Sequence, residues 1–433
     1  MNAIATDLSA TIPKHWTVSK LGEAVHLKNG SAFRPEDWKT TGVPIVRIQN
    51  LKDRSAAFNY FQGDPDSKVP LKNGDLVFSW SGSIGTSFGP HYWWGDTAVL
   101  NQHIFRVDLK PKTKLIKPFL YYALLHLTKE IEAHAYGLAA LVHVRKGDLE
   151  ATRVPVPTAS EQRKIAAVLG LVQRAVEQQE RLTALTTELK TRVLRQVFTQ
   201  GLRGETLKQT AIGSVPQSWG VVPLNALLVE PLRNGHSAKA SNNGEGIRTL
   251  TLTAVTRRTF SVQNTKLTVA DPHRVRDMWL RSGDILVERA NTFEYVGLTA
   301  LYEGPSDFAI YPDLMIRVRV DENRIRPKFL AEFLITPVCR SYFQKQARST
   351  AGNFPKIDQG TVEQTLVPVP LVQEQDEIVL LLRQIDRKLC VHKRKHALLT
   401  VLFRTLLHQL MTARLPVHDL QLSETASPRG VAT

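Results

Sequence analysis

The amino-acid sequence contains an internal repeat, and this feature limits the possible folds more than any other. The tetrapeptide Val-Pro-Val-Pro occurs at 154–157 and again at 367–370, which is 213 residues later. The same offset continues without a gap over about fifty residues, so that Glu161-Gln162 corresponds to Glu374-Gln375 and Ile165 to Ile378. A repeat in one register over this length indicates a single supersecondary unit used twice.

Segments upstream of this stretch also correspond, with offsets that start at 203 and rise to 213. Pro13-Lys14-His15-Trp16 resembles Pro216-Gln217-Ser218-Trp219, residues 73–77 (NGDLV) resemble 282–286 (SGDIL), and 118–120 (PFL) resemble 327–330 (PKFL). The second copy therefore carries about ten extra residues, spread over loops. Each half of the chain is a variable module followed by a constant segment.

The constant segment predicts a long helix. Its prolines end an extended stretch, and Thr158 with Glu161 has the spacing of a capping box. Apolar residues, including Leu182, Leu185 and Leu189, then recur mostly at steps of three and four, with no proline in either copy. About forty helical residues span about 60 Å, and so narrow an apolar stripe favours a partner helix. We expect the two helices to form an antiparallel coiled coil; the alternative is that each packs separately on its own module.

The variable modules have a mixed α/β pattern, so the predicted fold class is α+β. Two repeated modules would be separated by the helix pair and related by a pseudo-two-fold axis. The expected limits are 1–157 for the first module, 158–204 for the central helix, 205–370 for the second module, 371–416 for the C-terminal helix and 417–433 for a polar tail. Predicted strands lie at 43–48, 75–79, 104–107, 246–252, 284–288 and 315–320, and residues 119–127 predict a buried helix.

The chain of 433 residues is strongly basic, with 56 Lys and Arg against 40 Asp and Glu and a formal net charge of +16. Such a charge is typical of proteins that bind DNA or RNA. The two cysteines, Cys339 and Cys390, exclude a disulfide scaffold and indicate a reducing compartment. No apolar run reaches the about 18 residues of a membrane span, and the N-terminal residues lack a secretory signal. We expect a cytoplasmic protein without a membrane partner.

Motifs for catalysis are missing from the sequence. It has neither the glycine-rich cofactor loop nor the Asn/Asp-Pro-Pro-aromatic element of a DNA methyltransferase, and no GxxxxGK[ST] loop for ATP. Asp66 and Asp313 follow prolines, which is turn chemistry rather than a metal-dependent nuclease site. His392 and His396 share a helix face, but Cys390 lies about 200° around the helix from His392, so a four-ligand zinc site is not expected. A polar layer in the helix seam is the favoured role of these histidines.

Basic residues interleaved with hydrogen-bonding ones are the remaining functional signal, and each module has its own set. Arg reads guanine edges, Asn and Gln read adenine, and Lys mostly neutralises phosphate. In the first module the candidate DNA-binding residues are Arg47, Gln49, Asn50, Lys52, Ser81, Ser83, His143, Arg145 and Lys146. In the second module they are Arg248, Arg257, Arg258, Arg289, Asn291, Asn353 and Lys356.

Two modules that each open with Pro-x-x-Trp and close with Val-Pro-Val-Pro, Glu-Gln and a long helix resemble the specificity subunit of Type I restriction–modification enzymes. The resemblance covers 12 to about 420, and its most specific elements are 155–165 and 368–378. It implies two target-recognition domains that each read one half of a bipartite DNA site, with the paired helices as a ruler between them. Residues 182–185 (LTAL) and 186–189 (TTEL) resemble the tetrapeptide repeats that set ruler length in some members.

The resemblance also implies partners. Two modification subunits would carry S-adenosylmethionine and methylate adenine in double-stranded DNA, and a restriction subunit would supply the ATP-driven translocase and nuclease. No cofactor is expected on this chain, since S-adenosylmethionine, ATP and Mg²⁺ would belong to the partners. The chain itself would be a non-catalytic recognition subunit. The alternatives are an autonomous DNA-binding regulator, the specificity subunit of another bipartite restriction system and, least favoured, a stand-alone nuclease.

Overall fold

A computed structural model describes residues 12–53, 55–83, 86–133, 141–349 and 354–417. The chain forms two compact units. The first consists of Met1–Arg181 and Lys393–Thr433, and the second of Leu182–His392. The divisions at 181 and 392 fall inside the two long helices rather than at their ends. Each unit therefore holds one variable module together with part of both helices.

The first unit and the central helix contain the following elements. The strands are β1 (Thr17–Lys20), β2 (Val25–Asn29), β3 (Val43–Val46), β4 (Asn59–Phe61), β5 (Pro70–Leu71), β6 (Asp75–Ser79), β7 (Ser81–Ser83), β8 (Gly89–Trp93), β9 (Ala98–Leu100), β10 (Ile104–Leu109), β11 (Leu141–His143) and β12 (Arg153–Val156). The helices are α1 (Leu21–Ala24), α2 (Ile48–Lys52), α3 (Lys117–Ala133), α4 (Lys146–Ala151) and α5 (Ala159–Gln200).

The core of the first unit lies between an antiparallel sheet, ordered β2-β10-β6-β8, and helix α3. Phe78 on β6 and Phe119 on α3 are fully buried there. A second sheet, ordered β4-β3-β9-β5, contains the parallel pair β3 and β9. Strand β1 pairs with β12, so the segment that opens the module lies beside the segment that leads into α5.

The remaining elements follow α5. The strands are β13 (Leu207–Thr210), β14 (Gly213–Pro216), β15 (Gly220–Pro223), β16 (Arg233–Asn234), β17 (Ile247–Leu250), β18 (Thr265–Thr268), β19 (Ile285–Glu288), β20 (Thr299–Leu301), β21 (Met315–Val318) and β22 (Leu366–Val369). The helices are α6 (Thr253–Thr256), α7 (Pro272–Val275), α8 (Pro327–Leu334), α9 (Pro337–Gln346), α10 (Gln359–Glu363) and α11 (Val372–Met411).

The second unit repeats the plan of the first. Its sheet is ordered β16-β21-β19-β20, helix α8 shares a core with it, and β15 pairs with β22 as β1 pairs with β12. Even a close backbone approach recurs: a Cβ at Gly30 would lie 2.0 Å from the Asn101 carbonyl oxygen, and one at Gly235 would lie 2.0 Å from that of Tyr311. Only glycine fits at both positions. The two-module α+β fold expected from the repeat is confirmed.

The long helices contribute to both cores. In the first unit, Ile165 near the start of α5 shares a core with Leu410 near the end of α11. In the second unit, Val197 near the end of α5 shares a core with Ile378 near the start of α11. Each unit thus combines one end of α5 with the opposite end of α11. A coiled coil along their whole length stays a prediction.

Several local expectations are confirmed and others corrected. The segment 119–127 lies in α3, and the predicted strands coincide with β3, β6, β10, β17, β19 and β21. Strand β3 ends at Val46, before the predicted limit, because Asn50 Oδ1 accepts a hydrogen bond from the Arg47 amide at 3.1 Å and starts a helical turn.

Leu185 and Leu189 are each 51% exposed, so the apolar seam is interrupted there. Among the described helices, none is both long and apolar enough to cross a membrane. The predicted polar tail lies outside the described residues from 418 on.

Candidate nucleic-acid interface

The repeated glutamines tie each module to its long helix. Gln162 is fully buried; its Nε2 donates to the carbonyl oxygens of Lys114 and Pro157, both at 2.9 Å, and its Oε1 accepts from the Ile116 amide at 2.9 Å. Gln375 makes the same three bonds in the second unit, to the backbone of Arg324, Pro370 and Arg326. Buried backbone groups that would otherwise lack partners are satisfied in this way.

The repeated tryptophans stabilise the same contact between each module and the start of its long helix. Trp16 Nε1 donates to Glu161 Oε1 at 3.1 Å, and Trp219 Nε1 donates to Glu374 Oε2 at 3.1 Å. Thr158 and Glu161 form the expected capping box, with 2.9 Å from the Thr158 amide to Glu161 Oε2. Burial alone would raise the pKa of Glu161, but hydrogen bonds from His15, Thr158 and Trp16 outweigh it and lower that pKa to about 2. The motifs that define the repeat are therefore structural.

Polar loops meet at a corner where β19 ends, and we call Arg289–Asn291 with Lys356 the second-unit corner. The Ile357 amide donates to the Arg289 carbonyl at 2.9 Å, and Ala290 forms a β-bridge with Lys356. Arg289 is half-buried and Lys356 is exposed. The structure thus brings Lys356 next to Arg289 and Asn291, from which it is far apart in sequence.

A buried carboxylate organises this corner. Glu288 is fully buried and accepts hydrogen bonds from Asn291 Nδ2 at 2.6 Å and from Thr256 Oγ1 at 2.9 Å. Burial raises the pKa of Glu288, and these hydrogen bonds offset the shift only in part. Thr256 ends α6, so the exposed Arg257 and Arg258 follow directly from this contact. The Asn291 amide is engaged with Glu288 and, through Oδ1, with the Thr292 amide, so it holds the loop.

Sequence reasoning missed other side chains near the second-unit corner. Arg340 donates to the carbonyl oxygens of Val296 and Glu294, and Arg348 pairs through its backbone with Lys356. Phe293 and Phe354 are exposed by 59% and 62%. No sequence motif marks these residues. The one pattern that indicates any of them is an aromatic residue close to a basic one in a loop, as for Phe354 and Lys356.

The equivalent first-unit corner consists of Trp80 to Ser83 with His143. Strand β7 pairs with β11 so that Ser81 lies opposite His143, as Ala290 lies opposite Lys356. Trp80 Nε1 donates to Asn29 Oδ1 at 3.0 Å, and the Trp80 ring lies 5.3 Å from the His103 ring and 6.3 Å from that of His143. Burial lowers the pKa of His103, and His143 adds to that shift. Sequence reasoning missed Trp80 and His103, although Trp80 corresponds in the repeat to Arg289.

The other candidates of the first module differ in exposure and in hydrogen bonding. Arg47 donates through Nη2 to Asn59 Oδ1 at 3.0 Å and lies 5.4 Å over the Trp38 ring. Gln49 and Lys52 are exposed on α2, whereas Asn50 is buried and donates to the Ala56 carbonyl at 3.1 Å. Ser81 is buried and Ser83 is half-buried. Arg145 and Lys146 are exposed at the start of α4, and Lys146 Nζ lies 3.7 Å from Glu150 Oε1.

Two further candidates are placed differently. Arg248 lies on β17, where its guanidinium is 5.4 Å from the Phe308 ring and donates to Thr265 Oγ1 at 3.3 Å. Asn353 lies outside the described residues. Within the described ranges, no three His, Cys, Asp or Glu side chains come together as a metal site, the region of Cys390 and His392 included.

Comparisons with known proteins identify the family. Residues 13–187 and 243–400 match the model of the Type I restriction modification DNA specificity domain. The chain is 28% identical over 193 residues to the putative type I restriction enzyme MjaX specificity subunit of Methanocaldococcus jannaschii, a match that spans 44% of each chain and so less than half of that relative. It is 21% identical over 422 residues to the MjaVIII specificity subunit of the same organism, covering 94% of this chain and 95% of the relative.

A further relative and a solved structure agree. The type I restriction enzyme EcoBI specificity subunit of Escherichia coli is 21% identical over 393 residues, which cover 87% of this chain and 80% of that protein. The crystal structure of a Type I restriction–modification system S subunit from M. genitalium has the same fold, with a TM-score of 0.59 and 18% identity over 95% of this chain and 99% of that one. Because the family model matches most of the sequence in two segments, the chain belongs to the Type I restriction modification DNA specificity family.

Proposed function

We propose that this chain is the DNA-reading subunit of a Type I restriction–modification complex. Each variable module reads one half of a bipartite site in double-stranded DNA, and the chain directs adenine methylation or restriction that its partners carry out. The chain itself is non-catalytic in this proposal. Family membership and the +16 charge support it.

The observation that carries the proposal is the same corner built twice with different side chains. Trp80, Ser81 and His143 in the first unit occupy the places of Arg289, Ala290 and Lys356 in the second. A shared framework that presents different donors, acceptors and rings is what two different half-sites require. An architecture needed only for stability would not call for this exchange.

We divide the candidate residues into two groups by their exposure and their hydrogen bonds. The exposed or half-buried side chains are the proposed DNA contacts: Arg47, Gln49, Lys52, Ser83, His143, Arg145, Lys146, Arg248, Arg257, Arg258, Arg289 and Lys356. Asn50 and Ser81 are buried, and the Asn291 amide is hydrogen-bonded to the buried Glu288, so we assign these three residues to loop positioning. The Glu288 carboxylate belongs with the second group because it orients Asn291.

The proposed partners are two modification subunits and a restriction subunit. S-adenosylmethionine, ATP and Mg²⁺ would be bound by those partners rather than by this chain. Leu185 and Leu189 on α5 and their counterparts Leu398 and Leu402 on α11 are exposed apolar side chains at equivalent helix positions. Two equivalent apolar patches support docking of two copies of one partner.

The experiment is co-expression with the modification subunit from the same genome in a methylation-free host, followed by single-molecule sequencing of methylated adenine. We expect methylation in a split motif, with two short specific blocks around a gap of fixed length. A contiguous motif would contradict the two-module proposal. Assembly of the complex without methylation, together with tight sequence-specific binding by the chain alone, would favour an autonomous regulator.

A further inference from the structure

The first unit contains a cavity of about 490 Å³ that lies apart from the residues discussed so far, except for Asn50 in its wall. It is bounded by α2 and β4, by the segment 91–96 at the end of β8, by Tyr121 on α3, and by Gln173 and Glu177 on α5. Its size is within the range of sites for small molecules, about 300–1,000 Å³. All of these residues belong to one unit.

Aromatic rings form much of the wall. The cavity is lined by six aromatic side chains, those of Phe58, Tyr60, Tyr92, Trp93, Trp94 and Tyr121. The ring of Tyr92 lies 5.1 Å from that of Trp94 and 5.0 Å from that of Tyr121. Burial raises the pKa of both tyrosines, so their hydroxyls stay neutral. The rings offer electron-rich faces and no positive charge.

The charged groups in the wall are negative. Glu177 and Asp96 line the cavity, and no Lys or Arg does so among the described residues. Glu177 is exposed at the rim of the cavity, and its Oε1 accepts a hydrogen bond from Gln173 Nε2 at 3.1 Å, one turn earlier on α5. Burial lowers the pKa of His91, so that side chain adds no positive charge at neutral pH. An acidic aromatic cavity in a chain of net charge +16 selects against DNA phosphate and for cations.

The second copy of the repeat does not preserve this chemistry. At the repeat offset of 213, Gln173 corresponds to Asp386 and Glu177 to Cys390. There, Lys190 Nζ lies 2.7 Å from Asp386, and Arg383 pairs with Glu303 at 2.8 Å. Since ion pairs serve the fold at this position of the second unit, the aromatic cavity of the first is not required by the shared architecture.

We propose that this cavity is a binding site for an organic cation of the ammonium or guanidinium type. The cation would lie against the rings of Tyr92, Trp94 and Tyr121, with the Glu177 carboxylate as its counter-charge. Such a group has two sources: a free small cation, or a Lys or Arg side chain of a partner protein. Both present the same chemistry to the cavity.

The test is isothermal titration of the full chain with choline, with butylguanidinium and with 3,3-dimethylbutan-1-ol, the neutral isostere of choline. We expect at least one cation to bind about tenfold more tightly than the neutral isostere. Glu177→Gln should weaken cation binding about tenfold, and Trp94→Leu should weaken it as well. Glu180→Gln is the matched control, because Glu180 lies on the same helix but does not line the cavity.

The two sources give different results. Tight binding of a free cation that Glu177→Gln abolishes supports a small-molecule ligand. A partner side chain is supported by a different pattern. Every free cation then binds weakly, Glu177→Gln binds the modification subunit with about tenfold lower affinity, and Glu180→Gln binds it as the wild type does. Equal binding of choline and its isostere overturns the proposal. So does a Glu177→Gln variant that behaves as the wild type in both assays.

Discussion

At the scale of single residues, the most recognisable amino acids of the repeat make hydrogen bonds within the fold. Gln162 and Gln375 satisfy buried backbone groups, and Trp16 and Trp219 bond to the glutamate that begins the next helix. The side chains proposed to meet DNA lie instead in loops whose sequences differ between the copies. Because these two sets of residues are separate, the loops proposed to contact DNA can vary while the contact between module and helix stays the same.

Replacing Gln162 by Leu should destabilise the contact between the first module and the start of α5. Three buried backbone groups would lose their hydrogen bonds, each at a cost of about 1–3 kcal/mol. We expect faster hydrogen exchange at the Ile116 amide, measured by NMR or mass spectrometry. Gln178→Leu on the exposed face of α5 is the control. Unchanged protection of Ile116 in the Gln162 variant would show that the glutamine does not stabilise this contact.

Glu161 should make stability depend on pH. Its pKa is lowered from 4.5 to about 2 in the folded chain, so its stabilising effect is complete above about pH 4.5 and is lost as the pH falls towards 2. We expect Glu161→Gln to be less stable than the wild type at pH 6, with a smaller difference at pH 3. Urea denaturation at both values measures this. A difference that is constant with pH would exclude ionisation of Glu161 as the cause.

At the scale of elements, the two long helices are shared between the units. Helix α5 starts on the core of the first unit and ends on that of the second, and α11 does the reverse. The segment 182–189 lies inside α5, and the division between units falls at its start. Each residue adds a fixed rise to a helix, so inserting or deleting residues changes its length by a known amount. A change of about one turn also leaves the following residues on nearly the same face of the helix.

Inserting a second Thr-Thr-Glu-Leu after Leu189 tests this role. Four residues add about one turn and about 6 Å to α5, which corresponds to one or two base-pair steps of about 3.4 Å. We expect the gap of the methylated motif to lengthen by that amount while both specific blocks stay the same. The control replaces residues 186–189 by four alanines, which changes the sequence of this segment but not the length of α5. An unchanged gap in the insertion variant would count against the ruler.

At the scale of the whole molecule, the chain has two copies of one plan with separate reading corners. His143 and Arg289 lie at these corners, in different units. Because each corner is built from its own sheet and loops, changes at one corner should not reach the other.

We therefore expect His143→Ala to relax base preference in one block of the motif and Arg289→Ala to relax it in the other block. A lost base contact costs about 1–3 kcal/mol of discrimination, or roughly tenfold or more. Methylome sequencing of both variants gives the readout. Relaxation of the same block by both variants would contradict the assignment of one half-site to each module.

The sequence by itself determined the duplication, the two long helices, the capping box at Thr158 and the family, because these depend on local propensity and on a register readable along the chain. It also placed Arg289 and Lys356 among the candidates. Only the tertiary structure decided that Asn50 and Asn291 are engaged within the fold, that Trp80 is part of one corner and Arg340 lies near the other, and that aromatic rings and Glu177 line one cavity. Such facts depend on which distant segments meet, and on the burial that results, so no local pattern encodes them.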